Sequence, residues 1–191
     1  MEKDLTQESN NLLKIVLFGP ESTGKTTLSI QLAKHYNTVW VEEFARPYLQ
    51  EVWNNEQRTC ELSDILPIAR GQINLENKLA KQANKVLICD TDLLETKVYS
   101  SEYFGGYVDP MLEKAAVKNT YDLYLLTYID TPWIADDLRD RPNQRLRMYH
   151  AFKKVLDEYN RPYVSLKGDK HTRFKIAVME IDQLLKKQRL K

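Results

Sequence analysis

The chain has 191 residues, 42% of them hydrophobic and 29% charged, with a formal net charge of +1, so it has enough apolar material for a core of its own. A balance so near neutrality argues against a nucleic-acid-binding tract. The apolar runs are far shorter than the ~20 residues of a membrane span, so neither nucleic acid nor membrane is an expected partner. Cys60 and Cys89 have no metal-ligand spacing, and the opening "MEKDLTQESNN" has no apolar signal-peptide region, so the expected setting is cytoplasmic.

Residues 1–11 read as a flexible tail, and 12–187 as one domain. The first strand is expected over 12–18, followed by "GPESTGKTT" and a helix over 26–36 with Leu28, Leu32 and Tyr36 on one face. Gly19, Pro20, Glu21, Ser22, Thr23, Gly24, Lys25, Thr26 and Thr27 thus lie between a strand and a helix, and Gly19 to Thr26 fits G-x-x-x-x-G-K-[ST] at every fixed position. Glycines there let successive N–H groups turn inward around phosphate oxygens, and the helix start adds its positive dipole end. Lys25 is the residue for the β- and γ-phosphates of a nucleoside triphosphate, and Thr26 offers a hydroxyl to Mg²⁺.

A second strand is expected over 38–41. It delivers "EEFARPYL", in which Glu42 and Glu43 are candidates to meet an acceptor hydroxyl and Arg46 follows close by. A solvated charge pair is the alternative for the two glutamates. Ser63 is expected to cap a long helix reaching about residue 83, with Pro67 in its first turn. The apolar stretch 86–89 is a third strand ending in "DTD". Asp90 stands where P-loop proteins carry the carboxylate that holds Mg²⁺, and Asp92 competes with Glu43 for the acceptor hydroxyl.

Helices follow over 92–104 and 110–118, then a fourth strand over 121–129. The stretch "DDLRDRPNQRLR" comes next. Its arginines, Arg139 and Arg145 above all, suit a lid that brings positive charge to a transferring phosphoryl group; pairing with Asp136, Asp137 and Asp140 is the alternative. Asn143 is expected to cap a helix, 163–166 to be a fifth strand, and Asp169 to cap the last helix. Trp40, Phe44, Tyr48, Tyr103, Tyr107 and Trp133 lie near strand ends or loops, where each either stacks on a planar base or packs into the core.

Strands alternating with helices imply an α/β fold with a parallel sheet and its site beyond the carboxyl ends of the strands. The residues leave three readings open: a small-molecule kinase acting on one nucleoside, a kinase for another nucleoside or nucleotide, or a nucleotide-driven regulatory ATPase acting on a partner protein. They leave the oligomeric state open as well.

"GPESTGKTTL", "EEFARPYL", "ARGQ", "CDTDLLETKVYSSEYFG" and "YDLYLLTYIDTPWIADDLRD" together resemble the ribosylnicotinamide kinase domain of NadR-type NAD-biosynthesis proteins, over about residues 13–185. The resemblance implies a nucleoside-monophosphate-kinase-like P-loop fold with strand order 2-3-1-4-5. It also implies ATP-dependent phosphorylation of the 5′-hydroxyl of nicotinamide riboside, a small-molecule nucleoside, with Mg²⁺. By resemblance, Glu43 and Arg46 are the family's second-strand pair, Asp90 and Asp92 its aspartates, and Arg139 its lid arginine. The family pattern has a tryptophan just before the glutamate of "EFAR", where this chain has Glu42. The chain is too short for the adenylyltransferase and DNA-binding domains of full-length family members, so adenylyl transfer and repression are not implied.

Overall fold

Five parallel strands form one sheet in the order β2-β3-β1-β4-β5, in a computed structural model that describes residues 5–139 and 141–189. The strands are β1 Leu13–Phe18, β2 Trp40–Val41, β3 Val86–Asp90, β4 Leu123–Thr127 and β5 Tyr163–Leu166. All five expected strands are present, and the order is the one the family resemblance implies. Central β1 is flanked by β3 (Leu17 opposite Asp90) and by β4 (Phe18 opposite Leu126), so it is buried at every position. Helices cover both of its faces, which explains why, apart from Lys14, it reads as an apolar run rather than an alternating one.

The helices are α1 Lys25–His35, α2 Ala45–Glu56, α3 Ile65–Ala80, α4 Leu93–Tyr103, α5 Pro110–Lys118, α6 Arg145–Glu158 and α7 Lys170–Arg189. Alternate strand residues feed two cores. Ile15, Leu17, Ile88 and Leu125 pack under α1 and α7 with Leu28, Leu32, Ala177 and Ile181. Val16, Phe18, Cys89, Tyr124 and Leu126 pack against Ile73 of α3, Val98 of α4, Leu112 of α5 and Phe152 of α6.

Three sequence expectations change. Helix α2 is not among the expected elements; Pro47 falls in its first turn, where an α-helix has no use for the N–H that proline lacks. Ser63 and Asn143 do not cap α-helices but lie within short 3₁₀ turns, Leu62–Asp64 and Pro142–Gln144, that lead into α3 and α6. The segment before β1, expected as a flexible tail, is docked from Leu5 onward. Leu5 is 1% exposed in the core, Gln7 Nε2 donates to Glu76 Oε1 at 2.7 Å, and Asn77 Nδ2 donates to the Thr6 carbonyl at 2.9 Å. Residues 1–4 and Asp140 lie outside the described residues.

Candidate active site

At the carboxyl end of β1 the chain wraps into a loop that only particular residues permit. Gly19 has φ 133°, and a Cβ on it would stand 2.8 Å from Thr127 Oγ1 and 2.9 Å from the Thr127 carbonyl oxygen. The loop is pinned from within by hydroxyls: Thr23 Oγ1 donates to the Pro20 carbonyl at 2.7 Å and lies 2.7 Å from Thr127 Oγ1. Arg173, reaching in from α7 and 4% exposed, donates to the Thr23 carbonyl at 2.6 Å, to that of Tyr128 at 2.9 Å, and pairs with Asp130. It fastens the phosphate loop to the end of β4.

Lys25 is buried at the first position of α1. Its ammonium donates to the Gly19 carbonyl at 2.6 Å and to that of Pro20 at 3.2 Å, and lies 3.1 Å from Glu95 Oε1. Burial works against its charge, but the carboxylates of Glu95, Glu43 and Asp90 outweigh that and hold its pKa above the ordinary lysine value. The next side chain, Thr26, donates its hydroxyl to Asp90 Oδ2 at 2.5 Å, so the two residues read from sequence as Mg²⁺ holders meet. Burial, reinforced by the Glu43 carboxylate, pushes Asp90 up to about 6. Its other oxygen, Oδ1, is buried without a partner.

A pocket opens beside this cradle between α2, α3 and α4. Glu21, Glu43, Gln72, Glu95, Tyr99, Tyr103 and Phe104 are among the residues lining it, with Leu138 of the lid at its edge. Glu43 is aimed by its neighbours' backbone: Gln72 accepts from Phe44 N–H at 2.8 Å and donates to the Glu42 carbonyl at 3.3 Å. Phe44 packs directly on Gly71, so "ARGQ" serves as the bed on which the β2–α2 turn rests. Glu42 is exposed and does not line the pocket. On the far wall, Asp64 accepts from Arg58 at 2.6 Å and 3.2 Å, from Tyr48 at 3.1 Å and from Glu61 N–H at 2.8 Å, holding the loop that carries Thr59 and Cys60.

Asp92 does not face the pocket. One oxygen accepts from Glu95 N–H at 3.0 Å and caps α4, and the other accepts from Tyr124 at 2.7 Å. It is 1% exposed, and burial pushes its carboxyl up to about 7. The expectation that it meets the acceptor hydroxyl therefore gives way to a capping task, one for which aspartate is well suited. Glu95, missed in the sequence reading, takes the place beside the phosphate loop. It is 1% exposed and its Oε2 accepts from Gly19 N–H at 3.2 Å; burial raises its pKa, and the Lys25 ammonium beside it pulls the other way. The available signal was "DLLE", an N-cap followed three residues later by glutamate.

The two lid arginines separate. Arg145 spans the lid base and the phosphate loop, donating to the Thr131 carbonyl at 2.8 Å and to that of Ser22 at 2.9 Å. Arg139 is turned onto its own loop, donating to the Ile134 carbonyl at 2.7 Å and pairing with Asp136 at 3.3 Å. Arg46, expected near the acceptor, also pairs with Asp136 and ties α2 to the lid. Of the aromatic candidates, Tyr103 lines the pocket, with the Arg141 guanidinium 3.5 Å from its ring centre, while Trp40 packs into the core under α1 and α7.

A phosphate-cradling loop after β1, a carboxylate ending β3 and the order 2-3-1-4-5 define a P-loop nucleotide-binding protein of the nucleoside-monophosphate-kinase type. The chain belongs to the AAA domain family, whose model matches residues 14–173. It is 29% identical over 178 residues to the "Trifunctional NAD biosynthesis/regulator protein NadR" of Escherichia coli K12, covering 92% of this chain and 43% of that protein. The Salmonella typhimurium NadR is also 29% identical, over 177 residues, and 43% of it is covered. The chain thus spans less than half the length of these relatives. Among solved structures, a NadR protein in complex with NR superposes with a TM-score of 0.74 at 23% identity, covering 91% of this chain and 51% of that one. Thymidylate kinase from Ehrlichia chaffeensis superposes at 0.64 with 17% identity, over 92% of this chain and all of the other, which extends the shared fold to nucleotide kinases.

Proposed function

We propose that this protein transfers the γ-phosphoryl group of ATP to the 5′-hydroxyl of an unphosphorylated nucleoside, nicotinamide riboside, giving nicotinamide mononucleotide. The observation that carries the choice of acceptor is the charge of the pocket. Glu21 and Glu43 line it, together with Glu95, which pairs with Lys25, and among the described residues no lysine or arginine lines it. A nucleoside monophosphate would need cationic partners for its phosphate. Arg46, three residues after Glu43, is engaged with Asp136, and Arg141 is stacked over the Tyr103 ring. Carboxylates instead accept from ribose hydroxyls and favour a cationic pyridinium ring. Tyr99, Tyr103 and Phe104 supply the aromatic surface that position 42 lacks. Similarity to NadR proteins, one of them in complex with NR, points to the same acceptor.

In this reading Glu43 orients the acceptor hydroxyl and takes its proton. Lys25 contacts the phosphates, and Arg145 and Arg139 meet the charge spread over the equatorial oxygens of a loose transition state. Arg145 already adjoins the phosphate loop; Arg139 joins by leaving Asp136 as the lid closes. Thr26 and Asp90 fit Mg²⁺: both offer hard oxygen donors, they touch each other, and Asp90 Oδ1 is buried without a partner. When bound, the ion neutralises charge on the β- and γ-oxygens.

Calorimetry with nicotinamide riboside, uridine and thymidine monophosphate tests the acceptor. Nicotinamide riboside is expected to bind most tightly. Tighter binding of the monophosphate would overturn the assignment, and binding by none of the three would move the function to a nucleotide-driven ATPase.

A further inference from the structure

The geometry points to Glu95 as a positioning residue for phosphoryl transfer, one that holds the Lys25 ammonium inside the phosphate cradle and gives it up to the incoming nucleotide. This rests on the kinase reading above and adds a residue to it.

One carboxylate meets both the lysine of the phosphate loop and the loop's first backbone N–H. Oε1 stands 3.1 Å from the Lys25 ammonium, and Oε2 accepts the Gly19 N–H at 3.2 Å. With the Gly19 and Pro20 carbonyls, Glu95 completes the set of polar partners around a lysine only 8% exposed. A buried ammonium without such partners is costly, so something must pair with it while no phosphate does. Glu95 is held for that task from behind. It sits in the first turn of α4, and the Asp92 side chain fixes its backbone N–H at 3.0 Å. Asp92 therefore acts on the phosphate loop at one remove, which accounts for a second aspartate in "DTD" that does not face the pocket.

Two consequences with opposite signs follow. Glu95 and phosphate oxygens compete for the same ammonium, so removing the carboxylate charge should strengthen ATP binding. Lys25 also feels the carboxylates of Glu43 and Asp90. Without Glu95 as its nearest anion it is drawn toward those two and off the Gly19 and Pro20 carbonyls that place it in the cradle, so turnover should fall. A residue that merely filled space would produce neither the tighter binding nor the coupling to Lys25.

The test is a double-mutant cycle on the full chain, with ATP affinity from calorimetry and kcat from ADP release with nicotinamide riboside. Glu95→Gln keeps the shape and an acceptor for Gly19 N–H. It should tighten ATP binding about 3–10-fold and lower kcat about 10–100-fold. In a Lys25→Ala background the same change should move each quantity by less than about 2-fold, because the partner is gone. Glu95→Asp retains the charge with a shorter reach and should lie between wild type and Glu95→Gln. If Glu95→Gln does not fold, the cycle is read on Glu95→Asp, where a loss of kcat that vanishes in Lys25→Ala supports the assignment. Weaker ATP binding by Glu95→Gln, unchanged kcat in either variant, or effects that persist in full without Lys25 would overturn it. The affinity arm uses ATP alone, so an error in the acceptor shows as absent nicotinamide riboside turnover and leaves the affinity coupling between Glu95 and Lys25 readable.

Discussion

Replacing Gly71 by alanine sets two effects of similar size against each other. Alanine in a helix interior is favoured over glycine by about 1 kcal/mol, so helix propensity alone would make Gly71→Ala stabilising. The added methyl, however, would lie 2.1 Å from Cε1 and 2.2 Å from Cδ1 of Phe44. Ordinary carbon contacts are ~3.5–4.0 Å, so the ring has to retreat by roughly 1.5 Å. Overpacking of this kind costs about 1–3 kcal/mol, leaving a net loss of about 0–2 kcal/mol after the helix gain. The displacement also travels. Phe44 N–H is bonded to Gln72 at 2.8 Å, and Glu43 is the preceding residue, so a shifted ring re-aims the acceptor-facing carboxylate. A misplacement of ~1 Å at a reacting group can cost ~100-fold in rate. Urea unfolding gives the first quantity, and kcat with nicotinamide riboside the second. Phe44→Leu in the same chain should restore much of the lost stability by making room for the methyl. If Gly71→Ala proves more stable than wild type with unchanged turnover, the packing of the β2–α2 turn on α3 does not position Glu43.

Glu43→Gln should lower kcat by at least ~100-fold, in line with the loss of a positioned base, while calorimetry shows ATP affinity largely unchanged. Arg145→Ala should lower kcat more than it raises KM for ATP; a change confined to KM would make it a uniform binder of ground and transition states. The Asp64 carboxyl is a pH probe of the pocket wall. Burial alone would raise its pKa, but hydrogen bonds from Arg58, Glu61 N–H and Tyr48 win and hold it below the usual carboxylate range. A depressed folded-state pKa contributes stability that is present above the unfolded value of ~4 and is lost as pH falls through the folded value. Asp64→Asn should therefore cost about 2 kcal/mol near neutrality, and the gap in urea unfolding should close below pH ~4. A gap independent of pH would assign the loss to packing instead.

The sheet and the phosphate loop were legible because each depends on local pattern. β1 is apolar but for Lys14 and is followed by "GPESTGKT", β3 is an apolar run that ends in Asp90, and Thr26 and Asp90 meet as the motif requires. Pairings between distant segments were not legible. A lone leucine in "EKDLTQ" gives no sign that Leu5 is buried, because its pocket is built from residues far along the chain. Helix α2 was obscured by Pro47, a helix breaker everywhere except in the first turn, where it lies. Asp92 and Glu95 show the limit most clearly. Both are acids near a strand end, and sequence favours the one nearer the P-loop partner Asp90. Only the direction of α4 turns Asp92 inward to Tyr124 and Glu95 toward Lys25. Likewise Arg139 and Arg145 are alike in sequence, yet only Arg145 reaches the phosphate loop.

The central claim is that the pocket beside the P-loop, lined by glutamates and, among the described residues, by no lysine or arginine, receives an unphosphorylated nucleoside. Phosphorus NMR of the protein with Mg-ATP and nicotinamide riboside addresses it directly, with uridine and thymidine monophosphate as parallel acceptors. The account predicts a new phosphomonoester signal with nicotinamide riboside, matched one for one by ADP, and little or none with thymidine monophosphate. A pyrophosphate-linked product from thymidine monophosphate, or ADP and free phosphate at the same rate whether or not a nucleoside is present, would contradict it.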